Sequence, residues 1–187
     1  MTVRPSVHVF QGPASLMIRG TSVTVRAVRA EDEQLQRAFF RALSRQSRYF
    51  RFMTHLEQLP DVLAQRFTRI DYIHHFALLA TVRVDGQERM IAEARFIGEE
   101  NDPSCCEFAI AVADAWQQLN IGLYLLEQLE LQARASGYRR IVAGTLASNR
   151  SMLGLAVRAG YAIDASPPAT GEVRLTKWVA QVVASAA

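Results

Sequence analysis

Residues 105–123 constrain the fold of this chain more than any other stretch. They begin with an alternation typical of a strand, in which Phe108, Ile110 and Val112 fall on one face. A short polar turn follows, and from about Asn120 a long apolar segment is typical of a helix buried against a sheet. The first N–H groups of a helix lack intrahelical partners, and the helix dipole favours negative charge beside them. This strand, turn and helix therefore predict an anion site, with a pyrophosphate as the expected occupant.

The remaining chain predicts strands and helices on both sides of this stretch. The length of 187 residues, half of them hydrophobic, suits one domain with a sizeable core. The dipeptide Asp85-Gly86 is typical of a hairpin turn between two strands. Predicted strands cover residues 22–27, 75–84, 89–97, 105–112, 138–145 and 172–179, and predicted helices cover residues 30–43, 60–69, 120–136 and 149–160.

The order of these elements predicts the fold class. The strands near residues 80, 93 and 108 should form an antiparallel meander. The helix at 120–136 joins two strands that should be parallel, through a right-handed crossover. We therefore expect an α/β (α+β) fold, in which helices flank a central, mixed but mostly antiparallel, twisted sheet.

The two ends of the chain are less informative than its middle. We expect residues 1–20 to form an N-terminal extension, residues 21–180 the domain, and residues 181–187 a tail. Residues 16–18 are consistent with a short strand, and the extension as a whole either adds an edge strand or packs on a partner chain, so a homodimer is one possibility. The small, apolar tail either frays or extends an interface.

Composition and charge argue against several classes of protein. The net charge is +3, and no run of basic residues suggests a nucleic-acid partner. No apolar run predicts a membrane span, and residues 1–20 do not resemble a secretion signal, so we expect a cytoplasmic protein. Cys105 and Cys106 are neighbours that should point to opposite faces of a strand, which disfavours a disulfide. The pair His74-His75 lacks companion ligands, so no metal site is predicted.

Two segments match the motifs of a known superfamily. Gln117-x-x-Asn120-x-Gly122 resembles the cofactor motif of the GNAT superfamily of acetyl-CoA-dependent N-acetyltransferases, which reads Gln/Arg-x-x-Gly-x-Gly/Ala. Asn120 departs from the pattern, but Asn is the residue after glycine that best adopts a left-handed conformation. The turn can therefore survive with a side chain beside the phosphates.

The second motif lies at residues 149–161. It resembles the later GNAT motif at six positions, which are Asn149, Met152, Leu155, Arg158, Gly160 and Tyr161. Two motifs in the right order are more specific than either alone, and the resemblance covers roughly residues 22–179. It implies the GNAT fold, in which two parallel strands splay apart and hold acetyl-CoA between them.

The resemblance also implies which residues contact the donor. The pantetheine arm should pair with main-chain groups of residues 110–112, as an added strand would, and the pyrophosphate should meet N–H groups from 118 to 123. Arg150 and Arg158 either reach the adenosine phosphate or are solvated. The expected donor-binding residues are Ile110, Ala111, Val112, Gln117, Gln118, Leu119, Asn120, Ile121, Gly122, Leu123, Asn149 and Met152.

Glu107 is the candidate general base. An amine must be neutral to attack an acyl group, and a lysine amine has a pKa of about 10.4, so a base is useful. We expect burial on the central strand to raise the pKa of Glu107; a paired structural carboxylate is the alternative. The segment from Glu107 to Ile110 resembles bacterial protein-lysine acetyltransferase domains, whose glutamate acts as base. Ala156 replaces the tyrosine acid of other members, which leaves solvent, Tyr161 or another group to protonate the thiolate.

Residues 43–52 resemble the same domains, which often carry Leu-Ser-x-x-Ser-x-Tyr-x-Arg-Phe there. The surrounding segment, 44–59, is either a short helix whose aromatic side chains fill the core or a wall of the acceptor cleft.

The expected function is acetyl-CoA-dependent N-acetylation of a primary amine, with a protein lysine as one acceptor. The alternatives are a small-molecule amine or amino-acid acetyltransferase and a non-catalytic acyl-CoA-binding regulatory module.

Overall fold

The chain folds around one large sheet. A computed structural model describes residues 10, 12–164 and 171–179, so the predicted tail at 181–187 lies outside the described residues. The strands are β1 Ala14–Ile18, β2 Thr21–Ala27, β3 His75–Val84, β4 Gln87–Glu99, β5 Asp102–Val112, β6 Arg140–Leu146, β7 Ala162–Asp164 and β8 Glu172–Trp178. The helices are α1 Glu33–Ala42, α2 Arg45–Phe52, α3 Asp61–Thr68, α4 Ile121–Ala135 and α5 Arg150–Arg158, with 3-10 turns at Ala30–Asp32 and Asp114–Trp116. No helix in the described ranges is long and apolar enough to cross a membrane.

The sheet topology confirms the predicted mixed sheet. Its strand order is β1-β2-β3-β4-β5-β6-β8-β7. Strands β3, β4 and β5 form the antiparallel meander, and β5 and β6 are parallel with α4 between them in sequence. Strand β1 pairs antiparallel with β2, so the part of the predicted extension that the structure describes adds an edge strand.

Two details differ from the prediction. The connection expected at residues 98–104 is shorter, because β4 continues to Glu99 and β5 begins at Asp102. Strand β7 was not predicted, since three residues are too few to show an alternating pattern.

Helices cover the two faces of the sheet unequally. On one face α4 and α5 contribute Leu125, Leu129 and Leu155 to the main core. On the other face α1 packs over the first half of the sheet, where Phe39 joins a second cluster that includes Ala111 of β5. This second face also carries α2 and α3 beside α1.

In the part of the chain that the structure describes, the second face is exposed beyond β5. Glu107 lies on this face and pairs with Val142 of β6. Two residues further along β6 lies Gly144, whose register neighbours across β8 and β7 are Arg174 and Asp164. Paired residues point to the same side of a sheet, and these last three are exposed. We call Gly144, Arg174 and Asp164 the open sheet face.

Candidate active site

The parallel strands β5 and β6 part in the middle of the sheet. They are paired only from Cys105–Arg140 to Glu107–Val142. Beyond that point β5 continues to Val112 and β6 to Leu146, without pairing to each other. The sheet therefore contains a split between β5 and β6 that starts after the Glu107–Val142 pair and runs to the end of β5, before the turn that leads into α4.

The hydrogen-bond pattern decides which backbone groups of β5 face this split. The N–H of Ala113 donates to Ile91 O of β4 (2.8 Å), and Ser104 O accepts from the N–H of Arg139 before β6 (2.8 Å). In such a ladder alternate residues bond to opposite neighbours. The backbone groups of Ile110 and Val112 therefore face the split. Those of Ala111 are used by β4, which corrects the expectation that all of residues 110–112 offer them to the donor.

The turn before α4 contains two residues in the left-handed conformation. Asn120 has φ 61° and ψ 6°, and Gln118 has φ 60°. Asn120 is the N-cap residue of α4, and its carbonyl oxygen accepts the N–H of Tyr124 (3.0 Å). The prediction that Asn120 preserves the turn is confirmed. The conformation of Gln118 was not predicted, because glutamine has no particular preference for a positive φ.

Two side chains tie this turn to its surroundings. Gln117 Nε2 donates to the carbonyl oxygen of Val112 (3.1 Å) and to Ser47 Oγ (3.3 Å). Arg158 Nη1 of α5 donates to Asn120 Oδ1 (3.0 Å). The structure thus brings the two predicted motifs together, and Arg158 is not a purely solvated side chain.

The residues after the turn have different environments. Ile121 is buried in the main core, whereas Leu119 and Leu123 are partly buried against it. A Cβ atom at Gly122 would lie 3.5–3.6 Å from the side chains of Val112, Ile110 and Leu155, which is ordinary contact. The fold therefore does not require glycine at 122, and a side chain there would point towards the split.

Asn149 has a structural partner at both ends of its amide. Its Oδ1 accepts the N–H of Met152 (3.1 Å) and so caps α5, while its Nδ2 donates to Thr145 Oγ1 (3.3 Å). The side chain is buried. The expected contacts of Asn149 and Met152 with the donor stay predictions.

Glu107 is exposed at the start of the split, so the expectation that it is buried is wrong. Position 107 falls on the uncovered side of β5, because α1 packs further along the strand. Glu107 lines a cavity of about 260 Å³. The cavity is formed by Glu99, Glu107, Val142, Ala143, Gly144, Asp164, Glu172, Val173 and Arg174. An acceptor can reach Glu107 through this cavity.

Tyr161 lies on the opposite face of the sheet from Glu107. Its ring packs on Phe108, with the centroids 5.1 Å apart, and the residue is buried. Burial raises the pKa of Tyr161 far above its ordinary value, and the carboxylate of Glu130 raises it further. Tyr161 is therefore a poor proton donor, which removes one of the acids considered from the sequence.

A buried ionic cluster beneath α2 was missed. Glu93 of β4 pairs with Arg95 of its own strand and with Arg51 of α2 (3.2 Å), and Gln36 Nε2 donates to it (3.3 Å). Burial alone would raise the pKa of Glu93, but the two guanidinium groups outweigh it and lower the pKa to about 2. Arg95 and burial together lower the pKa of neighbouring His75 to about 4. The sequence signal that could have indicated this cluster is an acidic and a basic residue, Glu93 and Arg95, two positions apart in an otherwise apolar strand.

Parallel strands that part beside a helix N-terminus, with a carboxylate at the split, are the arrangement expected of an enzyme that transfers an acyl group from a nucleotide-containing thioester. Comparison with known proteins agrees with this class. The model of the Acetyltransferase (GNAT) family matches residues 37–161, more than half of the chain. The chain belongs to this family and is an N-acetyltransferase.

Individual relatives support the family assignment. The chain is 31% identical over 156 residues to Acetyltransferase PA5475 of Pseudomonas aeruginosa, which covers 82% of each protein. The crystal structure of the GNAT domain of S. lividans PAT matches with a TM-score of 0.82 at 27% identity, covering 92% of this chain and all of that one. A phosphinothricin acetyltransferase from Sinorhizobium meliloti, solved in complex with AcCoA, shares the fold with a TM-score of 0.67 at 20% identity, covering 84% of this chain and 88% of that one.

Proposed function

We propose that this acetyltransferase uses acetyl-CoA to acetylate a primary amine, with Glu107 as the general base. One observation carries the proposal. The split between β5 and β6 runs from Glu107 to the left-handed turn before α4, so donor and acceptor groups can meet at one end of it.

The donor fits the groups that surround the split. The backbone groups of Ile110 and Val112 at its edge can pair with the amides of a pantetheine arm, as a strand would. The first N–H groups of α4 can receive the pyrophosphate. Gly122 keeps the space between them free of a side chain. The S. meliloti relative, which has the same fold, binds this donor.

The acceptor needs a group that takes its proton. Glu107 is exposed in the cavity, so its carboxylate can accept a proton from an ammonium group directly or through a water molecule. The neutral nitrogen then attacks the acetyl carbonyl carbon. The nitrogen of this intermediate loses its second proton to solvent, and the carbon–sulfur bond breaks to release the CoA thiolate and the neutral amide. Solvent is the proposed source of the proton for the departing thiolate, because Ala156 and the buried Tyr161 cannot supply it.

The open sheet face favours a lysine on a protein surface as the acceptor. Gly144, Arg174 and Asp164 leave a broad exposed area beside Glu107, which a protein segment can contact. The cavity volume of about 260 Å³ also suits a small amine, which is the second candidate. A non-catalytic acyl-CoA-binding module has no need of an accessible carboxylate at the split.

A thiol-release assay with acetyl-CoA and a panel of lysine peptides, polyamines and amino acids tests the proposal. We expect release that depends on one class of primary amine and is lost in Glu107→Gln. The matched control is Glu127→Gln, which changes an exposed glutamate on α4 far from the cavity. Binding of acetyl-CoA without release for any amine would indicate a binding module instead.

A further inference from the structure

We infer that Asp114 is a positioning residue that holds the N-terminus of α2. Through this contact it couples the turn at residues 117–122, which we call the donor turn, to α2 and Met53, which form a wall of the acceptor cleft. This inference rests on the proposed function. It gives a role to the resemblance at residues 43–52, which the proposed chemistry leaves without one.

Asp114 binds the first turn of α2 through three hydrogen bonds. Its Oδ2 accepts the N–H of Ser44 (3.0 Å), and its Oδ1 accepts the hydroxyls of Ser44 (2.7 Å) and Ser47 (2.8 Å). Ser44 Oγ in turn accepts the N–H of Ser47 (3.1 Å) and caps the helix. A carboxylate also complements the dipole at a helix N-terminus. The contact joins parts of the chain that are 70 residues apart.

Asp114 belongs to the connection that leads into the donor turn. It opens the 3-10 turn Asp114–Trp116, which directly precedes Gln117. Gln117 Nε2 bridges the carbonyl oxygen of Val112 to Ser47 Oγ. The end of β5, the donor turn and the start of α2 therefore share one hydrogen-bonded network, in which Ser47 receives contacts from both Asp114 and Gln117.

The other end of α2 reaches the acceptor side of the split. Arg51 pairs with buried Glu93, and the ring of Phe52 packs on Phe40 of α1 (5.6 Å between centroids). Met53 follows α2 in the left-handed conformation, with φ 52°. Its Cε lies 3.7 Å from the position that a Cβ atom would take on Gly144. Met53 thus overhangs the open sheet face close to the Glu107–Val142 pair.

The position of α2 depends on these contacts at its ends. None of its residues, Arg45–Phe52, is fully buried, and the side chain that packs on the core cluster of α1 and α3 is Phe52, at its C-terminal end. The N-terminal half of the helix is therefore held mainly by the contacts with Asp114. Asp114 is exposed, and its hydrogen bonds compete with water. Such a contact can loosen and tighten without unfolding the domain. A donor that orders the turn at 117–122 would tighten it, and α2 with Met53 would be held over the acceptor cleft.

Hydrogen exchange read by mass spectrometry, on the whole chain with and without acetyl-CoA, tests this coupling. In the unaltered protein we expect acetyl-CoA to slow exchange at least about threefold in residues 117–123 and also in residues 45–53. In Asp114→Ala the donor turn should keep its protection, while residues 45–53 should lose theirs. The matched control is Asp61→Ala, which removes an exposed aspartate that pairs with Arg37 at the start of α3; it should behave as the unaltered protein.

Kinetics provide a readout that a purely structural role would not move. Asp114→Ala should raise the acceptor KM by about tenfold, while kcat and the Kd of acetyl-CoA stay within about threefold. Ser47→Ala should raise the acceptor KM in the same direction but by less, because it removes one of the three hydrogen bonds that Asp114 accepts. In the double variant the two effects should be less than additive, because the two residues share that contact. Ser47→Ala alone carries the test if Asp114→Ala does not fold.

The outcomes separate the inference from the proposed function. Protection of 117–123 without protection of 45–53 in the unaltered protein, or equal protection of 45–53 in Asp114→Ala, would overturn the coupling. An acceptor KM that Asp114→Ala leaves unchanged would overturn it as well. Absence of protection in both segments would instead reject the donor site on which the proposed function depends.

Discussion

Glu93 and Glu107 lie on neighbouring strands and on the same face of the sheet, yet their surroundings are opposite. Glu93 is 2% exposed beneath α1 and α2, and it is held by Arg95 and Arg51. Glu107 is exposed beyond the edge of α2 and lines a cavity. Helix cover over one half of the face therefore separates a structural carboxylate from an accessible one.

The difference shows why burial alone does not identify a catalytic acid. A buried glutamate with two guanidinium partners stays ionised, and its lowered pKa prevents it from taking a proton near neutral pH. An exposed glutamate can exchange protons with a substrate that reaches it. We therefore assign a stabilising role to Glu93 and a role in proton transfer to Glu107. The two roles can be tested separately.

The largest effect should come from Glu107→Gln. A general base contributes about 100- to 10,000-fold, so kcat/KM for the amine should fall by about that factor near neutral pH. The affinity for acetyl-CoA and the melting temperature should change little, because the side chain is exposed. The deficit should shrink at alkaline pH, where the free amine is already neutral. A loss that does not depend on pH would assign a positioning role to Glu107.

Glu93→Gln should affect stability rather than chemistry. Removing one partner of a buried ion pair leaves uncompensated guanidinium charge, so the free energy of unfolding should fall by about 3–5 kcal/mol in denaturant titrations. The surface control Glu33→Gln breaks the pair with Arg37 and should cost less than about 1 kcal/mol. If Glu93→Gln kept its stability but lost activity, Glu93 would have a role in the chemistry, contrary to the stabilising role assigned to it.

The lowered pKa of Glu93 predicts that the folded protein loses stability at acid pH. The pKa of Glu93 is lowered from 4.5 to about 2 in the folded protein, so its contribution to stability is present above pH 4.5 and disappears as the pH falls towards 2. Glu93→Gln should remove this part of the pH dependence, whereas Glu107→Gln should leave it intact.

Gly122→Val tests binding of acetyl-CoA independently of Glu93 and Glu107. We expect the affinity for acetyl-CoA, measured by calorimetry, to fall by about tenfold or more, because the larger side chain points into the split. Secondary structure should be retained, since a Cβ atom at 122 makes only ordinary contacts. Gly122→Ala is the graded control and should show a smaller loss. Unchanged affinity in the valine variant would remove the donor from this turn.

The smallest effect should come from Asn120→Gly. Glycine adopts the left-handed conformation without strain, so the turn and the affinity for CoA should be preserved or slightly improved, although the contact with Arg158 is lost. A tenfold loss of affinity would show that the amide of Asn120 contacts the phosphates. In that case recognition of the donor would depend on a side chain as well as on backbone N–H groups.

Local patterns in the sequence were enough to predict most elements, the antiparallel meander of three strands and the parallel pair. The hairpin at Asp85-Gly86, the parallel pair and the turn at Asn120 are all found. The sequence shows the motif at residues 43–52, but it does not show which residues the motif contacts. Its serines bind Asp114 and its arginine binds Glu93, at sequence separations of 67–70 and 42 residues. No local pattern reports partners so far apart.

The sequence by itself determined the period of most elements, the left-handed conformation of Asn120 and the family, because these depend on residues that are close together in the chain. Only the tertiary structure decided which glutamate is covered. Both Glu93 and Glu107 occur in apolar strands, and alternation places each on a face without saying which helix lies above it. The path of α2 across the sheet buries the first and leaves the second in solvent, since that path depends on packing and on distant contacts such as Arg51 with Glu93.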